Sequence, residues 1–118
     1  MNRLEQFYAA VGSDANDVIR RLGGSAALVE RFLARFPADT SFQELNEALN
    51  SGAPETAFRA AHTLKGVCAN LSLQNLFQKA SAVTELLRGG DLENARLAFP
   101  ELEKEYHFTI EKMKELGL

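Results

Sequence analysis

Three features of the 118-residue sequence predict an all-α fold. No segment sustains the period-2 alternation of a half-buried strand. β-Branched residues are few. Apolar residues instead recur at three- and four-residue spacing, in stretches separated by Gly, Pro, Ser and Asp. The chain is long enough for one core and too short for two comfortable ones. Residues 1–118 are therefore read as a single helical domain, with 1–12 as an N-terminal extension and a core bundle over about 25–117.

The elements follow in order. Leu4, Phe7, Tyr8 and Val11 form the apolar side of a first helix over Asn2–Val11, broken at Gly12-Ser13-Asp14. A short second helix runs from Asp14 to Leu22 and stops at Gly23-Gly24. Ser25 caps a third, Ala26–Phe36, whose Leu28, Val29, Phe32, Leu33 and Phe36 share a face. Thr40 with Gln43, and Ser41 with Glu44, offer two overlapping capping boxes for a helix reaching about Asn50. Pro54 suits the first position of the next, which keeps helical spacing through Leu71. Ser72 is the candidate cap of a helix over Leu73–Arg88, ended by Gly89-Gly90. Asp91 caps the last helix, Leu92–Leu116, where Pro100 predicts a kink or a restart. Short loops between the last four long segments predict an up-down antiparallel four-helix bundle, preceded by short additional N-terminal helices.

Composition narrows the function classes. The net charge is −3 and Lys/Arg are scattered, so nucleic-acid binding, which needs many simultaneous cationic contacts, is disfavoured. No run of about 18 apolar residues is present to insert in a membrane. The start, Met1 to Gln6, lacks the apolar stretch of a secretory signal. One cysteine, Cys68, allows neither an internal disulfide nor a multi-cysteine metal site, and a cytoplasmic setting is the simplest expectation. Met1 and the compact length suit a free-standing protein, although a domain cut from a larger protein has the same appearance.

The helix after Pro54 carries the most chemical information. At ~100° per residue, Ala57, Ala60, Ala61, Leu64, Val67, Cys68 and Leu71 fall in one sector, a core face of small and medium side chains. His62 lies ~160° from its centre. Its neighbours at three and four residues are Phe58, Arg59, Lys65 and Gly66, with Ala69 a further turn along. Neutral imidazole is a good nucleophile near neutral pH and can attack a phosphoryl donor in line. Lys65 can offset phosphate charge, by ~4 kcal/mol at 4 Å and an effective dielectric of 20 against ~1 kcal/mol in water. Glycine inside a helix costs about 1 kcal/mol relative to alanine, so Gly66 needs a reason. Either it admits a docking partner or it eases packing against a neighbouring helix, and the adjoining His62 and Lys65 favour docking. No phosphate-binding glycine loop, carboxylate cluster for Mg²⁺ or nucleotide motif is present, so the chain can carry a phosphoryl group without drawing one from ATP.

The run Ala61-His62-Thr63-Leu64-Lys65-Gly66, continued by Val67-Cys68-Ala69-Asn70-Leu71, resembles the motif of histidine-containing phosphotransfer (HPt) domains. Gly23-Gly24 with Leu28, Val29 and Phe32, Gly89-Gly90-Asp91, and Glu105-Tyr106 extend the resemblance over residues 14 to about 116. The resemblance implies a four-helix bundle whose exposed His62 accepts a phosphoryl group from a receiver-domain aspartate and passes it to another receiver. It implies a phosphate-binding role for Lys65 and room for the receiver at Gly66. It also implies partners among the receiver domains of response regulators or hybrid histidine kinases. The chain is then a phosphocarrier in a two-component phosphorelay rather than a stand-alone enzyme. It binds no cofactor or metal itself, and Mg²⁺ belongs to the receiver. Nε2, which projects farthest, is the expected nucleophilic atom. The docking strip should include Phe58, Arg59 and Ala69. Gln74 and Arg88 match positions where some relatives put polar groups near the histidine. Ser72 and Thr84 depart from the family, standing where glycine and glutamine are frequent. The first predicts a different interhelix turn, and the second weakens any hydrogen-bond network around the imidazole.

Other residues have plainer readings. His107 adjoins the core stripe Leu102, Tyr106, Ile110 and Met113 and reads as a partly exposed structural histidine. Cys68 reads as a small apolar core residue. Glu101 to Glu105 form a solvated acidic face. Phe7 and Tyr8 are expected to cover the end of the bundle. The chain is expected to be a monomer. The alternative function is a helical binding module that docks in a partner groove without phosphotransfer. A third reading, an inert helical scaffold, predicts that a bulky residue at Gly66 leaves partner binding intact.

Overall fold

The computed structural model describes residues Met1–Leu118 and contains helices only. In chain order these are α1 (Arg3–Ala10), α2 (Ala15–Arg21), α3 (Ala26–Ala34), a single 3₁₀ turn (Phe36–Ala38), α4 (Ser41–Ser51), α5 (Pro54–Asn70), α6 (Gln74–Arg88) and α7 (Leu92–Leu116). The last four form an antiparallel bundle in which α5 packs between α4 and α6, and α7 closes the set against α6 and α4. The molecule measures 42 × 25 × 21 Å, its long axis set by α7.

Local chemistry explains most boundaries. The Ser25 side chain accepts from the Leu28 N–H at 3.2 Å, and Asp91 accepts from Asn94 at 3.1 Å, satisfying donors that each helix start leaves free. Asn2 and Glu5 form a reciprocal capping box on α1. Pro54 opens α5, where its missing N–H costs nothing.

Two expectations need correction, and a third is narrowed. Neither capping box forms at α4. Thr40 adopts helical dihedrals and gives its hydroxyl to the Glu44 carboxylate, while Asp39 accepts from the Ser41 N–H at 3.0 Å and from the Ser41 hydroxyl. The Thr40 and Ser41 hydroxyls are thus taken up by the Glu44 and Asp39 carboxylates, and neither accepts from a backbone N–H of the first turn. Ser72 does not cap α6. It sits at φ +55°, the left-handed region that ends α5, and Leu73 takes the cap position without a side-chain bond. Serine thus adopts the conformation glycine favours, and the turn keeps the glycine geometry. Of the kink and the restart expected at Pro100, the restart does not occur, and α7 continues through the proline. Ala95, Phe99 and Leu102, buried on both sides of the proline, hold the helix to the bundle against a cost of about 3 kcal/mol.

One continuous core of buried side chains runs from Leu4 to Met113. Phe42 stacks on Tyr106 with ring centroids 3.9 Å apart and on Phe99 at 5.5 Å, joining α4 to α7. Phe7 and Tyr8 are fully buried, so α1 covers one end of the bundle. The two N-terminal helices also latch the corner between α5 and α6. Tyr8 donates to the Leu71 carbonyl at 2.9 Å, Ser13 Oγ to Ser72 O at 2.6 Å, and the Asn75 N–H to Val11 O at 3.0 Å. Arg21 donates to Asn70 O at 2.9 Å, to Ala69 O at 3.3 Å and to the Ser72 hydroxyl. Gly12, at φ +90°, passes so close that a Cβ there would lie 2.3 Å from Asn75 Oδ1. No helix is long and apolar enough to cross a membrane.

Candidate functional site

α5 buries Ala57, Ala60, Ala61, Leu64, Cys68 and the following Leu71, as its periodicity dictates. Val67, assigned to the same face, is half-buried and lines an apolar groove of about 540 Å³ with Leu22, Phe32 and Phe36. The opposite strip carries His62, Arg59, Gly66 and Ala69, all exposed, and the half-buried Phe58 and Lys65. His62 is the midpoint of α5.

The imidazole takes part in no hydrogen bond and no ion pair. Phe58, one turn earlier, stacks on it with ring centroids 5.9 Å apart and planes 20° from parallel. Arg88, at the end of α6, lies over the Phe58 ring at 5.0 Å and pairs with Glu85 at 3.2 Å. Lys65 has no ion-pair partner, and its Nζ lies 5.9 Å from the Phe77 ring. The ammonium therefore lies over an aromatic face of α6, with no carboxylate to compensate its charge. Arg59 is also free of ion pairs. Phe58, Arg59, Leu87 and Arg88 line a shallow groove of about 550 Å³ beside the histidine.

A Cβ built on Gly66 would meet nothing within 4 Å. No neighbouring helix needs this glycine, so the packing explanation for it fails. What remains is a gap in the side-chain cover one turn beyond His62. Thr84 is fully buried and gives its hydroxyl to Ala80 O at 2.7 Å in its own helix, so it does not address the imidazole. Arg88 comes beside the histidine through Phe58. Gln74 does not come near. It stands at the α5–α6 corner, in a groove with Gly12, Ser13 and Arg21, about 12 Å further along the helix axis by helical rise.

The remaining candidates take the places expected of structural residues. His107 is exposed on α7, edge-on to Phe42 at 5.8 Å and 4.0 Å from Glu103. Cys68 is fully buried, and burial with the nearby Asp39 charge pushes its thiol up to about 12. No group of three or more His, Cys, Asp or Glu side chains is placed to share a metal ion.

Sequence reasoning listed Phe58 as a helical neighbour of His62 but missed the stack, the Arg88–Glu85 brace and the Phe77 support under Lys65. The i, i+4 spacing of Phe58 and His62 was the available signal. The contacts from α6 had none, because they depend on the register of two helices.

Comparison with known proteins gives one match. The family model described as Hpt domain matches residues 27–109, more than half of the chain, from α3 into α7. No curated protein and no solved structure matches. α1 and α2 lie outside the matched span and still hydrogen-bond to the C-terminal end of the helix that carries His62. On the strength of that match, the chain belongs to the Hpt domain family.

Proposed function

We propose that this protein is a phosphorelay intermediate in which His62 accepts a phosphoryl group from a receiver-domain aspartate and delivers it to another receiver. The observation that carries this reading is the open gap over Gly66 beside an exposed histidine with no competing partner. A nitrogen lone pair of neutral His62 attacks phosphorus, the N–P bond forms as the P–O bond to aspartate breaks, and the carboxylate leaves. The other ring nitrogen then gives up its proton to solvent. The reverse steps, onto a second aspartate, discharge the carrier. Lys65, uncompensated one turn away, offsets charge on the transferred group, and its contribution grows as docking excludes water. Arg59, Gly66 and Ala69 offer the surface that the receiver covers, and Phe58 stands half-buried at its edge against the His62 ring. Arg88 borders it through the groove it shares with Phe58, and Gln74, at the α5–α6 corner, lies outside it. Any Mg²⁺ in the reaction sits with the receiver, whose domain also supplies the aspartate. The interface is small and transient, as a carrier that must release its partner requires.

The test is transfer from phosphorylated receivers to the purified chain. The expected result is an acid-labile label on the wild type and none on His62→Gln. A wild-type protein that stays unlabelled with several receivers overturns the proposal. If it binds them without label, the binding-module reading replaces it.

A further inference from the structure

An imidazole on an exposed helix face has two side-chain torsions, and exposed rotamers interchange in picoseconds to nanoseconds. In-line attack needs the nitrogen lone pair aimed at phosphorus, so a freely turning ring wastes most encounters. A hydrogen-bond partner is the common way to hold such a ring, and that bond also selects the tautomer. His62 has none, and the Thr84 hydroxyl on α6 is committed to the Ala80 carbonyl.

The contact that His62 does make is with Phe58. The two rings lie 5.9 Å apart and 20° from parallel. Phe58 is in turn braced, with the Arg88 guanidinium 5.0 Å from its centroid and the Arg88 Nε held by both Glu85 oxygens at 3.2 and 3.3 Å. The side chains thus form a column from Glu85 through Arg88 and Phe58 to His62, with the imidazole as its free end. A stacked ring restrains the imidazole plane and engages neither nitrogen. Both stay available, one to attack and one to release its proton.

From this geometry we infer that Phe58 is a positioning residue for His62, an aromatic wall that fixes the plane of the imidazole and acts through it rather than through the receiver. The inference rests on the reading of His62 as the phosphoryl acceptor. It also separates Phe58 from Arg59 and Ala69, whose exposed side chains have no such relation to the ring.

The experiment compares wild type, Phe58→Leu and Phe58→Tyr, with circular dichroism melts to establish folding. The rate of His62 labelling is measured against the concentration of a receiver phosphorylated by a small-molecule phosphodonor. The leucine variant should lose about fivefold to tenfold in rate at saturating receiver, with the half-saturating concentration unchanged, and the tyrosine variant should recover it. A raised half-saturating concentration at unchanged maximal rate makes Phe58 a docking contact and overturns the inference, as do equal kinetics in all three proteins. A second readout needs no receiver. NMR relaxation of the His62 ring carbons should show an ordered ring in the wild type and tyrosine variant and a mobile one in the leucine variant. Equal ring order in all three also overturns it. If the wild type accepts no phosphate from any receiver, the proposed function fails while the NMR comparison still decides whether Phe58 orients the ring.

Discussion

The Tyr8 phenol donates a 2.9 Å hydrogen bond to the carbonyl of Leu71, the residue that caps the C-terminus of α5. Tyr8 is fully buried, and burial pushes its ionisation well above the ordinary tyrosine range. Replacing it by phenylalanine keeps the packing and strands the carbonyl. Tyr8→Phe should lose about 1–2 kcal/mol of unfolding free energy in urea. A wild-type midpoint would show that the N-terminal helices do not latch this corner.

Gly66 offers a test with opposite signs. Alanine has room there and is the better helix former, so Gly66→Ala should gain about 0.5–1 kcal/mol in stability. Gly66→Trp should fold near wild-type stability and weaken receiver binding by more than tenfold, above about 1.4 kcal/mol. Thermal melts and titration against a receiver read the two effects separately. Unimpaired binding by the tryptophan variant would favour an inert scaffold.

Glu105 predicts a pH dependence. Its Oε2 is buried without a hydrogen-bond partner, and burial raises the carboxyl above its usual range, with Lys79 pulling the other way. A folded-state value above the unfolded one means that the folded chain holds the proton more tightly. That stabilisation is complete below the unfolded value and is lost as pH rises through the folded one. Ionised Glu105 therefore costs stability at neutral pH. Glu105→Gln should raise Tm at pH 7, and the gain should fade below about pH 4. The side chain is only partly buried, so solvent screening keeps the effect under about 1 kcal/mol.

Cys68 should be inert in the folded protein. Burial pushes its thiol up to about 12, far from the reactive thiolate at pH 8, and the sulfur is shielded besides. Labelling by a thiol reagent should be slow in buffer and fast in urea. Rapid native labelling would mean that the end of α5 opens readily.

What the sequence made legible was whatever helical periodicity encodes. The burial of Ala57, Ala61 and Leu64, the exposure of His62 and Gly66, and the caps at Ser25 and Asp91 all follow from residue type and spacing within one helix. The errors fell where a nearby carboxylate takes up a hydroxyl that could have capped the backbone, as Glu44 does for Thr40 and Asp39 for Ser41. They also fell where distant contacts override a local preference. Ser72 holds a left-handed conformation in a corner that Arg21 and Ser13 grip from the other end of the chain. Arg88 joined the site through Phe58 while Gln74 stayed at the corner, a difference fixed by how α6 lies on α5.

His62 occupies the midpoint of α5, eight residues from either end. Helices fray from their termini, and here one terminus is further fastened by Arg21 and Tyr8. Amide hydrogens around His62 should therefore exchange with deuterium only through large-scale opening of the bundle. A receiver that docks as proposed would meet a surface whose backbone ordering was completed when the chain folded, so little of its binding energy would go into arranging this helix.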